Sequence, residues 1–252
     1  KNLPRVVPRF DADTLAEMAA GLRRVYRKQG RGRYCTVEHY FRPNPDRHCF
    51  FAYPEDYSTS ELQYDQGELA RRTRRSVFNV VYVFRPDEGI LEISAPGNRK
   101  EITMVQEVFC RTALGLDGIP PDSDGACWRL NGLKRLDFSF PTEPADGIAS
   151  VELVSLRLHP MDTPRRRVTV EQDLASGEPL HDWLNRVVDS TQVPLHMLDV
   201  DQARIRVVWD AQDGKRPPTA TFTLGMPDSL SLKDDPKHLT LKRYLKAWQI
   251  AP

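Results

Sequence analysis

Early in the chain, Cys35, His39, His48 and Cys49 have the side-chain types of a metal centre, spaced C-x3-H-x8-H-C. A structural zinc needs four such ligands converging as a tetrahedron. Between them lies Arg42-Pro43-Asn44-Pro45-Asp46-Arg47, a turn-rich stretch joining two runs rich in aromatics and β-formers at 33–41 and 48–53. That pattern predicts a hairpin with the ligands on its two arms. Side chains alternate along a strand, so Cys35 and His39 share one face while the neighbours His48 and Cys49 point opposite ways. At most three of the four can meet. The reading is therefore no metal and no cofactor. A metal-dependent nuclease would use a D…ExK arrangement, for which Asp87, Glu92 and Lys100 are the nearest imitation. Ser94 stands where the lysine belongs, and Asp87 falls in the tight turn Pro86-Asp87-Glu88-Gly89, which explains it without catalysis.

The densest charge in the chain is Arg71-Arg72-Thr73-Arg74-Arg75, and Arg165-Arg166-Arg167 repeats the theme before a second predicted strand. Guanidinium groups suit bidentate contacts to phosphate or carboxylate. Tyr53, Tyr57 and Tyr64 precede the first cluster and offer faces on which a base could stack. Glu55, Asp56, Glu61 and Glu68 lie within the same stretch and could neutralise it. No phosphate-binding glycine loop, HExxH, GxSxG or paired CxxC occurs anywhere in the sequence. No serine or cysteine sits in a nucleophile elbow, and His159 and His196 flank prolines at element ends, where surface positions are expected.

These observations favour a non-catalytic binding module of a larger bacterial protein or complex. It would contact nucleic acid or a protein partner through Arg71, Arg72, Arg74, Arg75, Arg165, Arg166 and Arg167, with Tyr53 and Tyr57 beside them. One alternative is an enzyme acting on a phosphorylated or anionic small molecule under the 54–73 stretch, with Asp56, His39 or His48 as acid–base groups. Another is a pure assembly subunit, homo-oligomeric or not, whose Trp248 helix and strand edges meet a partner.

The elements that must position these residues are mostly readable. Asp11 caps a helix carrying Leu15, Met18, Leu22, Val25 and Tyr26 on one face, with Phe10 and Leu15 placed as a hydrophobic staple. Residues 54–73 lack periodicity and read as a long loop. Val77 to Phe84 reads as a strand buried on both faces, turning at 86–89 into Ile90, Leu91 and Ile93. Asn98 and Glu101 form a capping box for the next helix, which Gly115 stops. A Pro-, Asp- and Gly-rich connector at 119–147 separates this half (1–118) from a second (148–252). There, Ser150 to His159 pairs with Arg167 to Glu171, and a short helix runs from Leu180 to Val188. A hairpin then turns at Asp213-Gly214, and a last helix is capped by Asp235 with Pro236 at its first position. The expected order is αββββα followed by ββαββα, an α+β protein built from antiparallel hairpins with packed helices.

Composition agrees with a globular chain. Of 252 residues, 28% are charged and 40% hydrophobic, with a net charge of +1, so bulk electrostatics do not announce a nucleic-acid binder. No apolar run approaches the roughly 20 residues that span a bilayer, so no membrane partner is expected. The four cysteines are widely spaced, which predicts reduced thiols in a cytoplasm rather than a disulfide framework. The start at Lys1-Asn2-Leu3-Pro4, without Met, is expected of a piece of a longer chain.

Overall fold

The computed structural model of the chain describes residues 3–121, 127–162, 165–173, 177–188, 194–211, 216–233 and 235–251. It divides into two compact units, Lys1–Ser123 and Asp124–Pro252.

The first unit opens with α1 (Ala12–Arg27). Its N-terminal N–H groups would be orphaned without a cap, and the Asp11 carboxylate accepts from the Thr14 backbone at 2.9 Å. That bond also lowers the Asp11 pKa below its ordinary value. Five strands follow: β1 (Cys35–Arg42), β2 (Arg47–Asp65), β3 (Glu68–Val77), β4 (Val80–Arg85) and β5 (Ile90–Ser94). The unit closes with α2 (Arg99–Thr112), whose predicted capping box is present in full. The strands lie in the order β1-β2-β4-β5, all antiparallel, and among the described residues β3 pairs only with β2.

Met18, Leu22 and Tyr26 of α1 and Val105 and Phe109 of α2 pack on Phe50, Val80, Tyr82 and Phe84, all essentially without exposure. Phe109 sits at the centre, its ring 5.2 to 5.7 Å from those of Phe50, Tyr82 and Phe84. The Tyr82 hydroxyl is satisfied by the Val105 carbonyl at 2.9 Å, as a buried polar atom requires. The two helices approach closely because Gly21 has no side chain: a Cβ there would come within 2.8 Å of Val108.

The second unit holds β6 (Ile148–Pro160), β7 (Val168–Glu171), α3 (Leu180–Val187), β8 (Leu198–Trp209), β9 (Thr219–Gly225), β10 (Ser229–Leu230) and α4 (Pro236–Ala247). Its antiparallel sheet runs β10-β9-β8-β6-β7. Buried positions alternate along β8, as a half-covered strand demands. Leu130 and Leu133, from a 3₁₀ turn at Leu130–Lys134 inside the stretch read as a connector, belong to this unit's core. Trp248 is buried against Phe140 and Tyr244, and its indole N–H donates to the Pro141 carbonyl at 2.9 Å.

The α+β class therefore stands, with order αβββββα then ββαβββα. Each half has one strand more than expected. In the second half it is the two-residue β10. In the first half the difference is larger. The 54–73 stretch is not a loop but the outer part of β2 and most of β3. The buried strand also starts later than expected: Val77 ends β3 exposed, and β4 begins at Val80. The turn at Asp213-Gly214 lies outside the described residues.

Candidate functional site

β2 has 19 residues, and its two halves live differently. From His48 to Ala52 it is the middle strand between β1 and β4. From Ser58 to Asp65 it pairs with β3 alone, so these two segments form a ribbon beyond the sheet. The ribbon turns through Gln66 and Gly67, at φ 50 and 91. Two consecutive positive φ values match the two-residue loop whose twist suits a hairpin, and glycine takes the second one without strain.

Register fixes what each face of the ribbon carries. Ser58, Ser60, Leu62 and Tyr64 stand opposite Arg75, Thr73, Arg71 and Leu69. Those eight share one face. Thr59, Glu61, Gln63 and Asp65 stand opposite Arg74, Arg72, Ala70 and Glu68 on the other. Sequence proximity implied that four guanidiniums could converge; strand alternation separates them two and two.

On the second face, Arg72 pairs with Asp65 and Arg74 with Glu61 at 3.9 Å. On the first, Arg75 is bound by Glu55 at 2.9 Å, and Arg71 has no acidic partner among the described residues. That first face also presents Tyr64, Leu62 and Leu69 at the tip, 77%, 61% and 60% exposed. A single exposed Leu needs no explanation, but three large apolar groups together near the end of a ribbon form an exposed apolar cluster.

An isolated two-stranded ribbon is marginal in water, so its root matters. Arg31 lies there, its guanidinium 4.4 Å from the Phe78 ring centre, 5.2 Å from Tyr26 and 5.4 Å from Tyr57. It also pairs with Asp56 at 3.5 Å. Such cation–π contacts contribute roughly 0.5–2 kcal/mol when partly desolvated. Glu55 completes the root: its N–H donates to the Tyr34 carbonyl and its carbonyl accepts from Gly32, both at 2.8 Å. Arg31 was missed by sequence reasoning; the signal was a lone arginine between Gly30 and Gly32, next to a predicted aromatic hairpin.

The remaining predicted residues fall elsewhere. Tyr53 lies within the sheet opposite Thr36, its hydroxyl 3.4 Å from the Glu38 carboxylate that also accepts from Tyr40 at 2.9 Å. Burial and that carboxylate raise the Tyr53 pKa. Tyr53 is thus tied to Glu38 and not offered to the Arg cluster, whereas Tyr57 stacks on Arg31 at the root. In the second unit, Arg165, Arg166 and Arg167 are exposed, but Arg167 shares the nearly buried Asp201 with Arg157, at 3.0 and 2.6 Å. Arg167 has a structural partner.

His39 and His48 do meet, Nε2 to Nδ1 at 3.0 Å, with Phe10 stacked on His39 at 4.4 Å. Phe10, expected as a helix staple, lies against the imidazole. Burial lowers both histidine pKa values; the neighbouring His48 lowers His39 further, while Asp46 partly opposes the shift at His48. Cys35 shares their sheet face and Cys49 does not, as alternation predicts. Burial raises the Cys35 thiol to about 11, away from thiolate chemistry. No grouping of three or more metal ligands exists among the described residues. Asp56 lies eight positions along β2 from His48, about 25 Å at strand rise, so those two cannot serve one reacting bond. Glu92 is paired with Arg85.

No helix among the described residues is long and apolar enough to cross a membrane. Comparison with family models, with curated proteins and with solved structures finds no match to this chain.

Proposed function

We propose that this chain is a non-catalytic binding module whose contact element is the β2–β3 ribbon and whose partner is a protein. The observation that carries this reading is the ribbon's composition. Between Glu55 and Val77 there are five carboxylates and four guanidiniums, and Leu62, Tyr64 and Leu69 are exposed near the tip.

Charge decides between the two partner classes. A nucleic-acid contact rests on cations that displace counterions, and here three of the four arginines already hold a carboxylate. A charge-balanced element with an aromatic and two leucines at its tip matches the composition of protein interfaces instead.

The test compares the intact chain with a variant in which Ser58–Val77 is replaced by a short turn. Each carries a photo-crosslinker, at Tyr64 in the first and at the new turn in the second, and is exposed to extract of the source cells. The expected outcome is a discrete cross-linked protein that the trimmed variant loses. Equal cross-linking by both would overturn the reading. So would tight oligonucleotide binding with a steep salt dependence that disappears with the ribbon.

A further inference from the structure

We infer that the outer edge of β3 receives an acidic extended segment of the partner protein as an added strand, so that the ribbon becomes three-stranded. This rests on the reading of the ribbon as a protein-docking element and names the chemistry of what docks.

β3 pairs with β2 on one side and with nothing on the other among the described residues, and every position from Arg71 to Val77 is exposed. A strand edge of this length is a template for another strand. The two-residue loop makes Asp65 and Glu68 the hydrogen-bonded pair next to the turn, so bonded pairs recur at Gln63–Ala70, Glu61–Arg72 and Thr59–Arg74. The N–H and C=O groups of Leu69, Arg71, Thr73 and Arg75 therefore point outward, unpaired. These are the residues whose side chains share the face bearing Tyr64 and Leu62.

Charge selects the occupant. The ribbon is polarised across its width: β2 supplies Glu61 and Asp65, while β3 supplies four arginines and the single acid Glu68 at its start. Arg72, Arg74 and Arg75 hold carboxylates of β2, whereas Arg71, whose backbone groups point outward, holds none among the described residues and is the charge left for an added strand. Opposite charges directly across two strands stabilise the pair, and like charges oppose it. Two copies of this chain pairing symmetrically through β3 about Thr73 would set Arg71 against the other copy's Arg75, and Arg72 against its Arg74. In that register the arginine run opposes self-pairing, and it favours a strand with glutamate or aspartate at alternate positions. Leu69, at the tip end, adds an apolar contact for one residue of that strand.

The experiment uses the whole chain and a ten-residue peptide alternating Glu and Val. Its controls are the same peptide with Lys for Glu, the same peptide N-methylated at alternate amides, and a single-stranded oligonucleotide. The readout is residue-resolved amide exchange. At a peptide concentration ten times its Kd, exchange at Leu69, Arg71, Thr73 and Arg75 is expected to slow about tenfold. Ala70, Arg72 and Arg74, already bonded to β2, should change little. The Lys peptide and the methylated peptide, in the frame that blocks those bonds, should have no effect. The exposed double variant R71E/R75E should invert the preference toward the Lys peptide.

Protection without the alternating pattern, equal binding of the methylated peptide, or protection by the oligonucleotide would overturn the inference. Protection that grows with protein concentration alone would assign the edge to a second copy and overturn it as well. If the trimmed chain loses its cross-linked protein while the acidic peptide leaves β3 unchanged, edge addition fails and the docking role of the ribbon survives.

Discussion

The inner and outer halves of β2 are one continuous strand held by two different sets of forces. Inside the sheet, Phe50 and Ala52 are wholly buried and α1 and α2 lie across them. Beyond Tyr57 every residue is exposed, and only cross-strand pairs and a guanidinium wedge at the root hold the backbone. The pairing shifts register between Glu55 and Ser58, where the sheet gives way to the ribbon; the inner half is stabilised by area removed from water and the outer half is not. A protein keeps an unburied segment extended only by anchoring it to a buried one.

The difference is broken most severely from the inner side. Phe109→Ala removes the ring at the centre of the first core, and the first unit should lose about 3–5 kcal/mol in urea denaturation. Failure to destabilise would mean that the helices do not fix the sheet.

The His39–His48 pair gives a pH-dependent version of the same test. Both pKa values lie below the ordinary 6.5, so the folded state favours the neutral rings. The unfolded chain binds more protons, and stability should be full above about 6.5 and decline as pH falls below it. His48→Gln should flatten that decline in thermal melts taken from pH 7.5 to 5. An unchanged slope would assign the acid sensitivity to other groups.

A smaller effect is expected at the loop. Gly67 sits at φ 91 with no atom near its missing Cβ, so Gly67→Ala meets backbone strain and no clash. The cost, about 1–2 kcal/mol, should fall on the ribbon alone. Amides of β3 should exchange faster while the unfolding midpoint of the first unit stays fixed. A shifted midpoint would show that ribbon and sheet unfold together. The smallest effect belongs to Arg74→Ala, which removes an exposed pair with Glu61 and should change stability by less than about 0.5 kcal/mol.

The same contrast explains what was legible in the sequence. Asp11, Asn98 and Asp235 cap helices as read, because caps are local and their chemistry is carried by one or two residues. The pairing of β1 with β2 and of β6 with β7 was visible from aromatic and β-branched runs that alternate against a core. The ribbon was not, because periodicity in sequence records burial, and a strand with solvent on both faces writes no hydrophobic period. The clues were Gly67 at a two-residue loop and the alternation Leu62, Tyr64 against Leu69, Arg71. The two-and-two division of the arginines is hidden in sequence for the same reason: a loop would let them gather, and a strand alternates them. The His39–His48 contact was half legible, since a shared face follows from register, but its 3.0 Å closeness depends on packing.

The length of β2 has a mechanical consequence. β2 is bonded to β1 and β4 at one end and to β3 at the other. A pull on the tip along the strand axis loads all the inner bonds in shear at once, whereas a pull across the ribbon opens β2 from β3 one bond at a time, as a zipper does. The ribbon is therefore a stiff tether along its length and a compliant one sideways, and a load borne at Tyr64 is delivered to the centre of the sheet.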